Sequence, residues 1–298
     1  MITDNINKEL SKTDNTKLKD EKGNRIVVPA GFKIVNGATT VDKGIVIEDV
    51  TETATKGSQF VWIPVGTITK ADGTTTTITL GRYDFDSTTG KESAYSGPYV
   101  EEDSNNTLTL KKYENVIAKN ITDFKNSVAK NGGYYIGRYE ARTITARSTS
   151  EDTLTQVTEK STENVYNWVT QSQATQLSQN MYTSDKFTSD LINSYAWDTA
   201  IVFIQNCGTN NKYSMQSSLN VNSFSQTGTT TDVQCNIFDM ASNVLEWTTE
   251  TSNSSNSPCT YRGGFYNRND FYASIRDNFF ASRSNNIVSF RPLIYINV

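Results

Sequence analysis

The sequence predicts an α+β fold with two helices, short twisted antiparallel strands and long loops, and three observations predict it. Short apolar runs punctuated by Gly, Pro and Asp recur through the first half, which is strand chemistry. Two later stretches carry apolar residues at helical spacing behind a capping residue. From Asn236 onward, apolar and polar residues alternate among frequent Asn and Gly, favouring twisted strands and loops over helix.

In chain order, residues 1–25 are polar and charged without an apolar period and read as a flexible leader ahead of a domain spanning 26–298. Val27-Val-Pro-Ala-Gly-Phe-Lys-Ile-Val35, Gly44-Ile-Val-Ile-Glu48 and Phe60-Val-Trp-Ile-Pro-Val65 read as strands, with Pro64 marking an edge or a strand end. From about 67 to 131 the chain is rich in Thr, Asp and Gly and reads as an insertion, with hairpin-like Ile78–Tyr83 and Leu108–Tyr113. Strand chemistry returns at Gly132-Gly-Tyr-Tyr-Ile-Gly-Arg-Tyr-Glu140. Thr170 is placed to cap a helix over Gln171–Met181 that offers Ala174, Leu177 and Met181 on one face. A stronger helix runs from about Ala196, capped by Ser194, to Cys207, with Trp197, Ala200, Ile201 and Ile204 in register, Asp198 in the first turn and Gly208 as the stop.

At 298 residues the chain is long enough for one large core with an insertion. A net charge of −4, with no Lys/Arg cluster to neutralise a row of phosphates, argues against nucleic acid as a partner. The absence of histidine removes Ser-His and Cys-His catalysis, His-containing zinc sites and imidazole pH switching. Cys207, Cys235 and Cys259 lack Cys-x-x-Cys spacing; one disulfide and three small buried hydrophobes are both compatible with them. The longest apolar run in a helical segment, Ala200–Ile204, is far short of a membrane span, so no membrane insertion is expected. The polar amino terminus lacks the pattern of a signal peptide. Expected locations are the cell surface, the exterior after secretion, or a phage virion.

The most informative segment is the last. Tyr261–Val298 contains no Lys, Glu, Gln, Met or Trp, although these five types fill 50 of the 260 preceding positions, a share that would put about seven of them here. Tyr, Phe, Asn, Asp, Ser, Ile and Arg take their place, and this composition suits a binding surface: aromatic rings give large contact areas at low entropic cost, and Asn and Ser give adaptable hydrogen bonds. The five missing types are also those that no pyrimidine-ending codon encodes, so changing the adenines of an Asn codon (AAC or AAT) never yields them. A Tyr/Asn-rich β region that avoids long charged side chains through packing is the plainer alternative.

Five segments, in order, resemble the signatures of formylglycine-generating-enzyme-like domains: Phe60-Val-Trp-Ile-Pro-Val-Gly66, Gly133-Tyr-Tyr-Ile-Gly-Arg-Tyr-Glu-Ala141, Asn236-Ile-Phe-Asp-Met-Ala-Ser-Asn-Val-Leu-Glu-Trp247, Tyr261-Arg-Gly-Gly264 and Val288-Ser-Phe-Arg-Pro-Leu-Ile-Tyr-Ile296. The resemblance covers residues 30 to the end apart from the insertion, and it implies a C-type-lectin-like fold. Copper-dependent oxidases of that family carry working thiols after the Arg-Gly-Gly motif; here no cysteine follows Cys259, so thiol oxidation, and with it an enzymatic role, is not expected. The departure resembles the variable proteins of diversity-generating retroelements, in which a reverse transcriptase rewrites adenines in a carboxy-terminal segment. That resemblance implies a variable region at 265–286, between fixed Arg262-Gly-Gly264 and Ser289-Phe-Arg-Pro292. The candidate ligand-binding positions are Phe265, Tyr266, Asn267, Asn269, Asp270, Phe271, Tyr272, Ile275, Asp277, Asn278, Phe279, Phe280, Asn285 and Asn286, facing an unknown protein or carbohydrate. Arg268, Ala273, Ser274, Arg276, Ala281, Ser282 and Arg283 are candidate scaffold between them. A lectin-like module with a fixed binding face is the remaining alternative.

The other matched residues read as structural. Trp62, Trp168, Trp197 and Trp247 are expected core anchors, Arg262 a fixed scaffold residue, and Glu246 and Arg291 a buried ion pair, since a lone buried charge is costly. No cofactor is expected. Asp239 and Asn243 offer oxygen ligands for calcium, but turn formation is the more economical role and no ligand set is complete.

Overall fold

The computed structural model describes residues 10–35, 37–101, 118–218 and 222–298; the Leu108–Tyr113 hairpin and the first nine residues of the leader fall outside these. At its centre lies a six-stranded antiparallel sheet, ordered Phe187–Leu191, Pro292–Ile296, Gly133–Gly137, Gln59–Pro64, Val46–Asp49 and Phe32–Val35. Strand periodicity turns alternate residues to opposite faces. Trp62, Tyr135 and Ile294 therefore join one apolar cluster, whereas Val61, Ile63, Tyr134, Ile136 and Leu293 join another. Because both faces are covered, these strands read as continuous apolar runs rather than alternating ones. Trp62 is fully buried, and a Cβ on Gly133 would lie 2.4 Å from its ring, so only glycine fits opposite it.

The second cluster is filled by Ile121–Asn131, through Phe124 and Val128, and by Ser194–Cys207, through Trp197, Ala200, Ile201 and Ile204. Ser194–Cys207 is capped by Asn193, whose side chain accepts from Ala196 N, one residue ahead of the expected Ser194; Ser194 instead donates to Glu101 from its N–H and its hydroxyl. Gln171–Gln179 packs under the other cluster through Ala174 and Leu177, and Thr170 and Gln173 close a reciprocal capping box at its start.

The α+β expectation with two helices, and the lectin-like fold class it carried, is corrected here: the described residues form twenty strands in seven sheets and three α-helices, a predominantly β chain. Several loops expected to be irregular close instead as two-stranded pairs. The helix not anticipated, Ile121–Asn131, lies inside the insertion. It has a cap at Asn120 and a left-handed stop at Gly132, but its Thr, Asn and Ser content masks a sparse apolar face. The insertion also contains the hairpins Gly66–Thr69 with Thr75–Ile78 and Tyr83–Phe85 with Glu92–Ala94, so Ile78–Tyr83 joins two hairpins rather than forming one. Its return path bonds Val100 to Thr251 in both directions at 2.8 Å. Within the leader, Thr16–Lys19 pairs antiparallel with Arg25–Val28 around a turn in which Asp20 accepts from Lys22 and Asn24. Among the described residues no helix is long and apolar enough to cross a membrane.

Candidate functional site

A four-stranded sheet, ordered Arg276–Phe279, Cys259–Arg262, Leu245–Thr251 and Val288–Phe290, carries the candidate segment. Its last two strands run parallel and the other neighbours antiparallel. Residues 265–286 leave one inner strand, supply the edge strand Arg276–Phe279 and return to the opposite edge. The exit is tight: a Cβ on Gly264 would fall 2.1 Å from the Ala241 carbonyl oxygen, which explains Arg-Gly-Gly at this point.

Thirteen of the fourteen candidate positions retain solvent access. Asn267, Asn269, Asp270, Asp277 and Phe280 are exposed, and Tyr266, Phe271, Tyr272, Ile275, Asn278, Phe279, Asn285 and Asn286 are half-buried. Phe265 is the exception at 8% exposure; its ring meets Phe271 at 5.1 Å and Tyr266 at 5.9 Å, so it supports the other two from beneath. The rings are partly set into the scaffold: Phe279 packs on Tyr261 at 4.4 Å and on Trp247 at 6.0 Å, while Phe280 is 47% exposed.

Charged groups ride on these rings. Arg268 lies 4.9 Å over Phe271 and bonds Asp270 through two nitrogens; Arg283 lies 4.8 Å over Phe279 and 5.9 Å from Phe280. Asn278 donates to the Tyr99 hydroxyl at 2.9 Å, which ties the edge strand to the insertion, and Tyr261 donates to Asp277 at 2.8 Å. Asn285 and Asn286 offer backbone carbonyls to Trp168 N and to the Asn167 amide.

Beneath the segment the scaffold is held by buried charge. Arg291 and Glu246 form a fully buried bidentate pair at 3.0 and 2.6 Å, and Arg291 also donates to the carbonyls of Gly137 and Phe238 at 2.8 Å each. Burial opposes the guanidinium charge, but the surrounding carboxylates, Glu246 foremost with Glu140 and Glu159, together outweigh it and raise the Arg291 pKa. A second network joins Arg262 to Asp198 at 2.5 Å and Arg276 to Asp198 at 2.6 Å and Glu250 at 2.9 Å, with Arg82 also on Glu250. Arg262 Nε further donates to the Ile275 carbonyl at 2.7 Å. The sequence marks Asp198 only as a first-turn residue of its helix and does not single out Glu250 or Arg82; the faint signal is an acidic residue inside an otherwise apolar helix. Trp62, Trp197 and Trp247 are fully buried, and the indole N–H groups of the last two reach the Ala273 and Val169 carbonyls. Trp168 departs from the expected core role: it is half-buried in a left-handed conformation, φ 54°.

Asp239 and Asn243 both sit at left-handed turn positions, φ 68° and 62°. Asp239 accepts from the hydroxyls of Thr230 and Ser242, and the Asn243 amide donates to the buried Glu140 at 2.5 Å. Among the described residues no group of three or more His, Cys, Asp or Glu is arranged to hold a metal. Cys207, Cys235 and Cys259 are free thiols, and burial raises the pKa of each, for Cys207 and Cys259 to about 12.

No family model matches this chain, and no curated protein does. Among solved structures, Treponema denticola variable protein 1 shares 11% identity over 81% of this chain and 97% of its own, with a TM-score of 0.42. The crystal structure of CarF shares 16% identity over 37% of this chain, which spans about half (48%) of CarF, with a TM-score of 0.29. A variable protein therefore stands among the structural neighbours, at a similarity too loose to fix either fold or function.

Proposed function

We propose that this is a binding protein that presents residues 265–286 to a partner protein, and that a diversity-generating retroelement rewrites the segment. The observation that carries the reading is that restricted composition and solvent access fall on the same segment. The stretch lacking the five unreachable amino acids runs from Thr251 to Val298 and so contains the whole segment, within which thirteen candidate side chains stay accessible while Arg262, Arg276 and Arg291 anchor its entry, middle and exit. Rings packed edgewise with polar neighbours present adaptable contact area at little entropic cost. Three free thiols, Cys259 buried and Cys207 and Cys235 half-buried, each with its pKa raised by burial, support binding rather than thiol oxidation as the role.

The nucleotide sequence tests the diversification. The expected result is a nearby near-copy of the segment encoding 262–296, differing almost only at adenines, beside a reverse-transcriptase gene. A locus with neither leaves a fixed binding module and sinks the diversification.

A further inference from the structure

Beside the displayed segment, Tyr266 forms one wall of a cavity of about 510 Å³, whose other walls include Gln216, Ser217, Ser225, Thr231 and Asn243. That size lies in the range of small-molecule sites, roughly 300–1,000 Å³. Among the described residues, apart from Tyr266 and the carboxylate of Asp232, every lining side chain is Ser, Thr, Asn or Gln, and none is Lys or Arg. Asp232 is already committed: it accepts from the Tyr213 hydroxyl at 2.9 Å, Gln216 Nε2 at 2.8 Å, Ala241 N at 2.9 Å and the Ser242 hydroxyl at 3.0 Å. The Asn243 side chain is likewise held, its amide oxygen Oδ1 accepting from Ser225 N at 2.7 Å. These bonds fix the back wall.

The hydroxyls of Ser217, Ser225 and Thr231, in contrast, have no hydrogen-bond partner among the described residues. Each both donates and accepts. A ligand that matches several such hydroxyls beside one aromatic ring carries its own donor–acceptor hydroxyls on a partly apolar ring. A phosphate or carboxylate would find no cation among the lining side chains, and a purely apolar ligand would strand the hydroxyls.

We propose that this cavity binds a neutral sugar ring, with Tyr266 as the stacking platform and the hydroxyls of Ser217, Ser225 and Thr231 as hydrogen-bonding partners. The backbone of Tyr266 is pinned, its N–H donating to the Asn243 carbonyl at 3.0 Å and its carbonyl accepting from Ser218 at 2.8 Å, so the ring has a fixed origin. In this chain residue 266 is tyrosine, so the site does not depend on how the segment arose. If residue 266 does vary, one wall changes while the hydroxyl wall stays constant.

Saturation-transfer NMR on the full chain, with glucose, galactose, mannose and N-acetylglucosamine at millimolar concentration and glucose 6-phosphate and sialic acid as charged controls, tests the site. At least one neutral sugar should bind, and the anionic controls should bind several-fold more weakly or not at all. Tyr266→Ala should weaken that sugar about fivefold or more, about 1 kcal/mol in ring contact. Thr231→Val, which keeps the shape and removes the hydroxyl, should act in the same direction, and Ile144→Ala, an exposed position outside the cavity, should leave sugar binding unchanged. Should Tyr266→Ala fail to fold, Thr231→Val and Ser225→Ala carry the test. Absence of transfer from all four neutral sugars, equal binding of the anions, or a signal that survives Thr231→Val with Ser225→Ala would overturn the assignment.

Discussion

The two edges of the four-stranded sheet are built in opposite ways. At Val288–Phe290 every residue is buried, and the next, Arg291, spends its guanidinium on Glu246 and two backbone carbonyls. At Arg276–Phe279, Arg276 reaches inward to Asp198 and Glu250 and Phe279 packs on Tyr261 and Trp247, while Asp277 is exposed and Asn278 half-buried. Both edges lie in the region with the same restricted composition. The difference shows how a segment can be open to change without loosening the fold: arginines anchor it at entry (Arg262), middle (Arg276) and exit (Arg291), and most of the candidate side chains between them keep solvent access.

Breaking the exit should have the largest effect. Arg291→Ala strands the buried Glu246 carboxylate and two carbonyls, a loss of about 3–5 kcal/mol. The expected fall in melting temperature is on the order of 10 °C. A melting temperature unchanged by this substitution would remove the buried edge as the support.

The second effect is one of pH. Burial, helped by repulsion from Glu250, raises the Glu101 carboxyl to about 7, and burial raises Asp190 and Asp239 to about 7 as well. Each folded-state pKa lies above its unfolded value, so the fold favours the protonated form. That stability is complete below the ordinary carboxylate range and is lost as pH rises towards 7. The melting temperature should therefore fall by a few degrees between pH 5 and pH 8, and a rise over that interval would contradict the burial of these acids.

Much of the scaffold was legible in the sequence because its signals are local. Phe60–Val65 and the strand after Gly132 stand out as apolar runs, and the helix ending at Cys207 has period, cap and stop within one window. Ile121–Asn131 was not legible, since Ile121, Phe124 and Val128 are spaced among helix-neutral residues. Thr16–Lys19 was not legible either: its single apolar residue, Leu18, makes a strand only because Arg25–Val28 is there to pair with it. At the site, the composition marked the segment but not the direction of each side chain. Phe265 and Phe280 are the same residue type in the same stretch, and only the backbone path buries one and exposes the other. The Arg276–Asp198 bridge joins positions 78 residues apart and leaves no local trace.

The smallest stability effect belongs to the exposed edge. Phe280→Ala should change stability by no more than about 0.5 kcal/mol, as is usual for exposed positions. It should weaken binding once a partner is in hand, because exposed aromatic rings anchor such interfaces. Loss of the fold with this substitution would place Phe280 in the scaffold.

The most direct measurement is a comparison of two libraries. One randomises the thirteen accessible candidate positions with pyrimidine-ending codons; the other does the same at thirteen fully buried positions of the six-stranded sheet and the helices packed on it. Cell-surface display with protease challenge then counts the folded members. The predicted result is a large folded fraction in the first library and almost none in the second; equal folded fractions would contradict the separation of a displayed segment from the framework that holds it.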